Sequence, residues 1–143
     1  MNPSWNQFSR QMRGFTLVEL LVVVSIMGVL LAIGVPSYND YVRKSNRKAA
    51  ISQIQTLSSR LERARSTLLS YSSFAGYQSS EFTHYTYTID VPDGGTTFTI
   101  SATPNATSSQ VNDPCGIISY DNTNTWSFSG VMGDDAESRC LVR

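Results

Sequence analysis

The chain lacks the residue patterns from which most catalytic and metal sites are built. It has a single histidine, His84, which rules out a histidine metal cluster within one copy of the chain. It has no G-x-S-x-G nucleophile elbow and no glycine-rich phosphate loop ahead of a helix. The acidic stretches 121–124 and 134–137 lack the ligand spacing of an EF-hand loop and are interpreted as solvated turns. These absences predict a protein that is not an enzyme and that holds no metal or cofactor.

The chain also has no excess charge of either sign, but its charges are unevenly placed. The formal net charge is zero. Residues 43–65, here called the basic middle, contain Arg43, Lys44, Arg47, Lys48, Arg60, Arg63 and Arg65. The part that follows is acidic and rich in Ser and Thr. The cluster at 43–48 is interpreted as facing lipid headgroups or solvent. Contact with nucleic acid is the weaker interpretation, because only Tyr38 and Tyr41 are interleaved with these cations.

An apolar run extends from Phe15 to Val35, and Glu19 is its only charged residue. At about 1.5 Å per residue, a helix of this length spans roughly 30 Å, which is enough to cross the hydrocarbon core of a bilayer. No small-x-small cleavage site follows the run, so it does not fit a conventional cleavable secretory signal. Basic residues are more numerous after the run than before it. Charge counting alone would therefore place the C-terminal side in the cytoplasm.

The stretch "RGFTLVE" at residues 13–19 resembles the processing site of type IV prepilins. It combines a short basic leader ending in Gly14, a hydrophobic Phe15, and Glu19 four positions further on. The resemblance continues to about residue 45. It implies that a prepilin peptidase cuts between Gly14 and Phe15 and methylates the new N-terminus at Phe15. The implied layout is a cleaved leader at 1–14, a membrane-spanning and assembly half-helix at 15–36, and a periplasmic or extracellular globular domain at 37–143.

The same resemblance implies a role for Glu19. A charge in hydrocarbon costs a few kcal/mol unless it is paired or lies near the interface. In the family, the acid at this position attracts the N-terminal amine of a neighbouring subunit during fibre assembly, and that amine exists only after cleavage. The alternative is that Glu19 reaches the headgroups at the membrane edge. The implied location is the bacterial inner membrane before assembly and the cell-surface pilus afterwards.

Pro36 follows the apolar run. Because proline lacks an N–H and clashes with the preceding turn, it predicts a kink or a local break in the helix, which the resemblance relates to bending during assembly. The alternative is that a transmembrane helix ends there. Beyond Pro36, apolar residues recur at helical spacing and predict an amphipathic helix that packs one stripe against a domain. That stripe comprises Ala50, Ile54, Leu57, Leu61, Ala64 and Leu68.

The C-terminal part reads as a small β-domain after a surface loop at 70–82. Alternating β-branched and aromatic residues predict strands at 84–91, 96–104, 116–121 and 125–130. The "DGG" at 93–95 predicts a hairpin turn, and "DNTNT" at 121–125 predicts another turn. The fold class is therefore α+β. With the resemblance it is the type IV pilin fold, in which a long N-terminal helix packs on a small antiparallel β-sheet.

Both cysteines, Cys115 and Cys140, lie in this polar part. An even count after an export-like segment favours a disulfide in an oxidising compartment. In the chain-entropy model, closing this loop contributes about 3.5 kcal/mol. The stretch "DPCGIISYDNTNT" resembles a pattern in minor pilins of the PilE kind, in which such a cysteine pair bounds the segment called the D-region.

These features together predict a type IV pilin, most similar to a minor pilin, that acts in pilus assembly and so in twitching motility, adhesion or DNA uptake. The expected partners are other pilins, the prepilin peptidase and the inner membrane before assembly, with DNA more weakly supported. Three related alternatives remain open: a major pilin, a DNA-receptor pilin suggested by the basic middle, and a type II secretion pseudopilin.

Overall fold

The computed structural model describes residues 14–79, 82–92, 94–130 and 135–141. The chain divides into two compact units, Met1–Tyr38 and Asn39–Arg143. The predicted features of the basic leader before Gly14 lie outside the described residues. Within the described part, the first unit is helical, and the second contains the continuation of that helix, a five-stranded sheet and a short C-terminal helix.

The long helix, α1, spans Leu17–Leu68 and includes Pro36. The helix is not interrupted at this proline, so a local break is wrong, as is the alternative of a helix that ends there, and the kink stays a prediction. Pro36 removes one backbone donor, which leaves the carbonyl of Ala32 without its usual partner. The regular hydrogen bonds on both sides outweigh that single loss. The Ser37 hydroxyl adds to them by donating to the carbonyl of Ile33 at 3.0 Å.

The second half of α1 packs its apolar stripe into the core. Four of the predicted positions are almost fully buried, namely Ala50, Ile54, Leu57 and Leu61. The last two are not, because Ala64 is only half-buried and Leu68 is 61% exposed. The helix ends at this point: Leu69 adopts a positive φ of 56°, and its N–H donates to the carbonyl of Arg65 at 2.8 Å. The final turn therefore extends past the buried side of the sheet.

The sheet is an antiparallel meander in which every strand pairs with the next along the chain. Its strands are β1 (Tyr77–Ser79), β2 (Tyr85–Asp90), β3 (Thr99–Pro104), β4 (Ile118–Asp121) and β5 (Trp126–Phe128). The four predicted strands are confirmed. Strand β1 lies inside the stretch that was predicted to be a surface loop. The turn between β2 and β3 uses Gly94 and Gly95 at positive φ, which explains the turn signal in the sequence.

The two faces of the sheet differ sharply in chemistry. The inner face is apolar and aromatic, and its buried members are Tyr85, Tyr87, Ile89, Ile100, Ala102, Ile118 and Phe128. The alternate residues point the other way because side chains in a strand alternate between faces. Their register aligns one uncharged row across all five strands, made of Gln78, Thr88, Ser101, Ser119 and Ser127.

The C-terminal segment folds back as a short helix, α2, spanning Asp135–Cys140. The prediction of a solvated turn at 134–137 is therefore wrong for its described residues. A disulfide joins Cys140, the last residue of α2, to Cys115, with Cα atoms 5.9 Å apart. Both cysteines are buried. The local sequence around α2 does not show that Cys140 is bonded to Cys115.

Candidate functional site

The start of α1 is organised by two residues that bond to each other. The Thr16 N–H and the Thr16 hydroxyl both donate to Oε2 of Glu19 at 3.0 Å. In return, the Glu19 N–H donates to the Thr16 hydroxyl oxygen at 3.2 Å. This reciprocal arrangement is a capping box, which satisfies backbone donors left free at a helix N-terminus. The Glu19 carboxylate thus has a local partner in a single copy of the chain.

The T-x-x-E spacing of this capping box is visible in the sequence, but the predicted role of Glu19 did not include it. Gly14 and Phe15, the two residues ahead of the box, are exposed, Phe15 by 86%. A Cβ atom added to Gly14 would meet nothing within 4 Å, and the backbone there does not have a positive φ. Nothing in the fold of the described chain therefore requires a glycine at position 14.

The apolar run contains a window of mean hydropathy 2.7, and none of that window is buried. By length and composition, this part of α1 can cross a membrane. Its polar side chains are satisfied within the helix itself. Besides the pair at Thr16 and Glu19, the Ser25 hydroxyl donates to the carbonyl of Leu21 at 2.8 Å. The run can therefore enter hydrocarbon with few unpaired polar groups.

The cluster at 43–48 does not present all four of its cations to solvent. Arg47 is buried and forms a bidentate ion pair with Asp113, Nε to Oδ2 at 3.0 Å and Nη2 to Oδ1 at 2.6 Å. Arg43 pairs with Asp40 on the same helix. The interpretation of the whole cluster as a solvated or headgroup-facing surface is therefore wrong for Arg47. No sequence signal marks this partnership, because Asp113 lies far along the chain in an irregular segment.

The buried pair is part of a larger polar network. The Gln110 side chain donates to Oδ2 of Asp113 at 3.0 Å and to the Tyr85 hydroxyl at 2.9 Å. The N–H of Cys115 donates to Oδ1 of Asp113 at 2.9 Å. Burial raises the pKa of Tyr85 to about 12, so this phenol stays neutral at physiological pH. The network fastens the segment between β3 and β4 to α1.

The far end of α1 carries a second group of cations. Arg65 is held in place, because it donates to the Tyr71 hydroxyl at 3.0 Å and to the carbonyl of Thr96 at 3.1 Å. Arg60 and Arg63 are exposed, and neither guanidinium has an ion pair among the residues that the structure describes. The structure therefore separates the basic middle into cations used for folding and cations left at the surface.

The outer face of the sheet is covered by hydroxyl groups. The Ser101 and Ser119 hydroxyls lie 3.0 Å apart and bond to each other. A shallow depression of about 430 Å³ follows the strands here, lined mainly by serines. At the end of β4, the Asp121 carboxylate accepts hydrogen bonds from Thr123, and these lower the pKa of Asp121. This acid stays ionised, so the face offers little attraction to an anion.

His84 is half-buried beside β2. It lines a depression of about 350 Å³ together with Phe82, Tyr85 and Tyr87. Its Nδ1 atom is buried without a hydrogen-bond partner in the described chain. Within the described ranges, no three His, Cys, Asp or Glu side chains come close enough to hold a metal ion.

Two protein-family models match this chain side by side. The family described as "Prokaryotic N-terminal methylation motif" matches residues 9–35. The family described as "Type IV minor pilin ComP, DNA uptake sequence receptor" matches residues 36–119, which is more than half of the chain. The first match covers the predicted processing site, and the second covers the rest of α1 and the sheet as far as β4.

Individual relatives agree over a shorter stretch. A fimbrial protein of Pseudomonas aeruginosa is 42% identical over 52 residues, which is 36% of this chain and 34% of the relative. A type IV major fimbrial protein, FimA, of Dichelobacter nodosus is 43% identical over 49 residues, 34% of this chain and 31% of the relative. The chain thus spans about a third of the length of the curated relatives it matches.

A solved structure of a type IV pilin from Shewanella oneidensis shares the fold. It aligns with a TM-score of 0.51 over 59% of this chain and 89% of that one, at 23% sequence identity. The predicted α+β architecture, a long N-terminal helix packed on an antiparallel sheet, is confirmed by this likeness and by the strands described above.

Proposed function

The chain belongs to the family of type IV minor pilins, and from this premise we propose that it is made as a precursor, cut between Gly14 and Phe15, methylated at Phe15 and built into a type IV pilus. The observation that carries the proposal is the order of the two family matches in one chain. A methylation motif leads directly into a minor-pilin domain. In this proposal residues 1–14 are a leader, residues 15–36 are the membrane and assembly segment, and residues 37–143 form the exported domain.

The surroundings of Gly14 support the processing step. A glycine is usually retained where a fold needs a positive φ or a close backbone approach. Neither condition holds at Gly14, which is exposed and uncrowded. We therefore assign the requirement for a glycine to recognition by the prepilin peptidase. Intact mass of the purified protein tests this directly. The expected mass lacks residues 1–14 and gains one methyl group, and a full-length mass from a peptidase-competent host would contradict the proposal.

Assembly is proposed to proceed through α1 alone. The apolar run has its side chains exposed in the single subunit, and in a fibre such runs bury one another. The processed amine at Phe15 is then the cation closest along the chain to Glu19. Its pairing with Glu19 of a neighbouring subunit removes an unpaired charge from an apolar environment. Before assembly, the inner membrane covers the run.

We further propose that this pilin binds DNA, the ligand named in the description of its family. Phosphate contacts require cations that are not already paired. In the described chain, neither the end of β4 at Asp121 nor the hydroxyl-covered outer face of the sheet supplies such cations. Arg60 and Arg63 do, because they are exposed one turn apart on α1, have no ion pair in the described chain, and lie further along the helix from the apolar run than the unpaired Lys44 and Lys48. We assign the first DNA contacts to this pair. The proposed biological role is DNA uptake by the pilus.

A gel-shift titration with the full chain in nonionic detergent tests this assignment. Each phosphate contact that is lost should reduce the slope of log affinity against log salt by about 0.9. The double substitution R60Q/R63Q is therefore expected to weaken binding and to lower the slope by about 2. The control K44Q/K48Q removes the same charge from the same helix and should leave the slope unchanged. Binding by the wild type that is insensitive to salt, or equal effects of both pairs, would contradict the assignment.

A further inference from the structure

Three residues form a continuous exposed face just beyond the apolar run. Tyr41, Lys44 and Lys48 are spaced by three and four positions, which places them on one side of a helix. Tyr41 is 71% exposed, and both lysines are exposed. The opposite side of the same turns is buried, as Arg47 and Ala50 show. We call Tyr41, Lys44 and Lys48 the collar.

The fold leaves the charge of the collar uncompensated. Arg47 lies between the two lysines in sequence, and its charge is neutralised by the buried ion pair with Asp113. The nearest acid, Asp40, is paired with Arg43. Neither lysine has an ion pair within the described part of the chain. Two positive charges and one phenol ring are therefore available to an external partner on this face.

The position of the collar identifies that partner. Tyr41 follows the end of the apolar run by six residues, or about 9 Å of helix, and Lys44 follows by about 13 Å. Side chains on a helix lean towards its N-terminus, which here is the direction of the apolar run. A headgroup layer extends roughly 5–8 Å beyond the hydrocarbon core on each side, so a flexible lysine at position 44 reaches it. Lys48 lies about 6 Å further on, within a Debye length of about 8 Å.

We propose that the collar binds the anionic phospholipid headgroups on the outer side of the membrane, and so fixes the depth and rotation of the subunit before it joins the fibre. This inference rests on the proposed insertion of the apolar run. Tyrosine suits this place because its ring is apolar and its hydroxyl is polar, as in the aromatic belts of membrane proteins. Juxtamembrane lysines are attracted to anionic lipid surfaces in the same way.

The experiment compares lipid binding by matched variants of the full processed chain. The chain is reconstituted in nanodiscs of phosphatidylcholine with a minor share of phosphatidylglycerol, and retained lipids are counted by native mass spectrometry. Wild type should be enriched in phosphatidylglycerol, and 0.5 M salt in the reconstitution buffer should reduce that enrichment. K44Q/K48Q should reduce it about fivefold or more. R60Q/R63Q removes equal charge about 38 Å beyond the apolar run and should match wild type.

Each other outcome has a defined meaning. Equal phosphatidylglycerol retention by wild type and K44Q/K48Q would overturn the proposed lipid binding by the collar. A loss of retention in R60Q/R63Q equal to that in K44Q/K48Q would overturn it as well. Unchanged lipid retention combined with weaker DNA binding by K44Q/K48Q would also overturn it and would assign the face to DNA. Flotation with the same lipids separates the two proposals. If the wild type does not float, membrane insertion is contradicted, and the lipid-binding role of the collar with it. If the wild type floats but shows no lipid preference, only the lipid-binding role of the collar is contradicted.

Discussion

Arg47 of α1 and Asp113 of the segment before β4 form a bidentate ion pair that is almost completely buried, with side-chain exposures of 5% and 0%. The carboxylate also accepts hydrogen bonds from Gln110 and from the N–H of Cys115. A buried carboxylate without its cation is costly, because desolvation is then not offset by attraction. The pair therefore makes the position of the β3–β4 segment depend on one arginine of the helix.

Substitution of Arg47 by Met should lower the free energy of unfolding by about 3–5 kcal/mol, because it leaves Asp113 charged and unpaired. Urea unfolding followed by Trp126 fluorescence measures this, since Trp126 is the one tryptophan left once residues 1–14 are removed, as proposed. Lys48→Met, one position away and exposed, is the control and should change the stability by less than about 0.5 kcal/mol. The double variant Arg47→Met/Asp113→Asn should recover part of the loss. Similar costs for Arg47→Met and Lys48→Met would refute the role of the pair.

Two substitutions of Glu19 separate its capping role from its charge. Glu19→Gln keeps a side-chain oxygen that can accept from Thr16, whereas Glu19→Val removes it. Both should leave membrane insertion intact, because each makes the apolar run less polar. If the charge pairs with a neighbouring amine, both variants should enter sheared fibres poorly. Normal incorporation of Glu19→Gln, measured by immunoblot of the fibre fraction, would show that the cap and not the charge matters.

A Gly14→Leu substitution should leave the precursor uncut. The structure offers open space around this position, so the larger side chain should not disturb α1. Mass spectrometry of the membrane fraction is expected to show residues 1–14 still attached and no methyl group. The control is Ser25→Ala, deeper in the run, which should be processed normally. A mature N-terminus at Phe15 in the Gly14 variant would rule out the assigned cleavage.

Loss of the disulfide should destabilise the domain that contains the sheet by about 3.5 kcal/mol in the chain-entropy model. Cys115 and Cys140 connect the segment before β4 to α2 and are both buried. The variant C115S/C140S should unfold at lower urea than the oxidised wild type. Reduced wild type is its matched control and should behave like the variant. An unchanged midpoint after complete reduction, verified by thiol titration, would argue against this contribution.

Stability should decline between pH 10 and pH 12 because of buried phenols. Burial raises the pKa of Tyr87 to about 12, above the value of about 10 in an unfolded chain. The folded state therefore keeps a proton that the unfolded state loses, so the stabilisation is complete below pH 10 and is lost as the pH rises to 12. Tyr87→Phe should make the decline shallower, by up to about 1.4 kcal/mol per pH unit. Tyr41→Phe, on the exposed face of α1, should leave the decline unchanged; an equal slope for both variants would contradict the assignment.

Local patterns predicted most of the elements, because the relevant forces act between neighbours in sequence. The periodicity that includes Ile54 and Leu57 placed the buried stripe of α1 correctly. The glycines at 94 and 95 marked the hairpin between β2 and β3. The motif at 13–19 indicated the family, which the comparisons confirm. Strand β1 was not predicted, because its three residues are too few to show an alternating pattern.

The features that could not be predicted depend on partners distant in the chain. Arg47 lies three positions before Ala50 and so on the buried side of α1, but the partner that lets a charge be buried there, Asp113, is 66 residues away. The helix α2 is short, and the disulfide that ends it reaches back to Cys115. The candidate DNA cations, Arg60 and Arg63, were part of a larger basic set. Their availability became visible only when Arg43, Arg47 and Arg65 were found to have partners within the fold.

The apolar stripe of α1 precedes in the chain the strands that cover it, and this order has a consequence during synthesis of the subunit. The buried part of the stripe on α1 is complete when residue 61 has emerged, but the last strand of the sheet, β5, ends at Phe128. At about 5–20 residues per second, the stripe stays uncovered for roughly 3–13 s during synthesis. Throughout that time, the apolar run ahead of it is available to enter the bilayer.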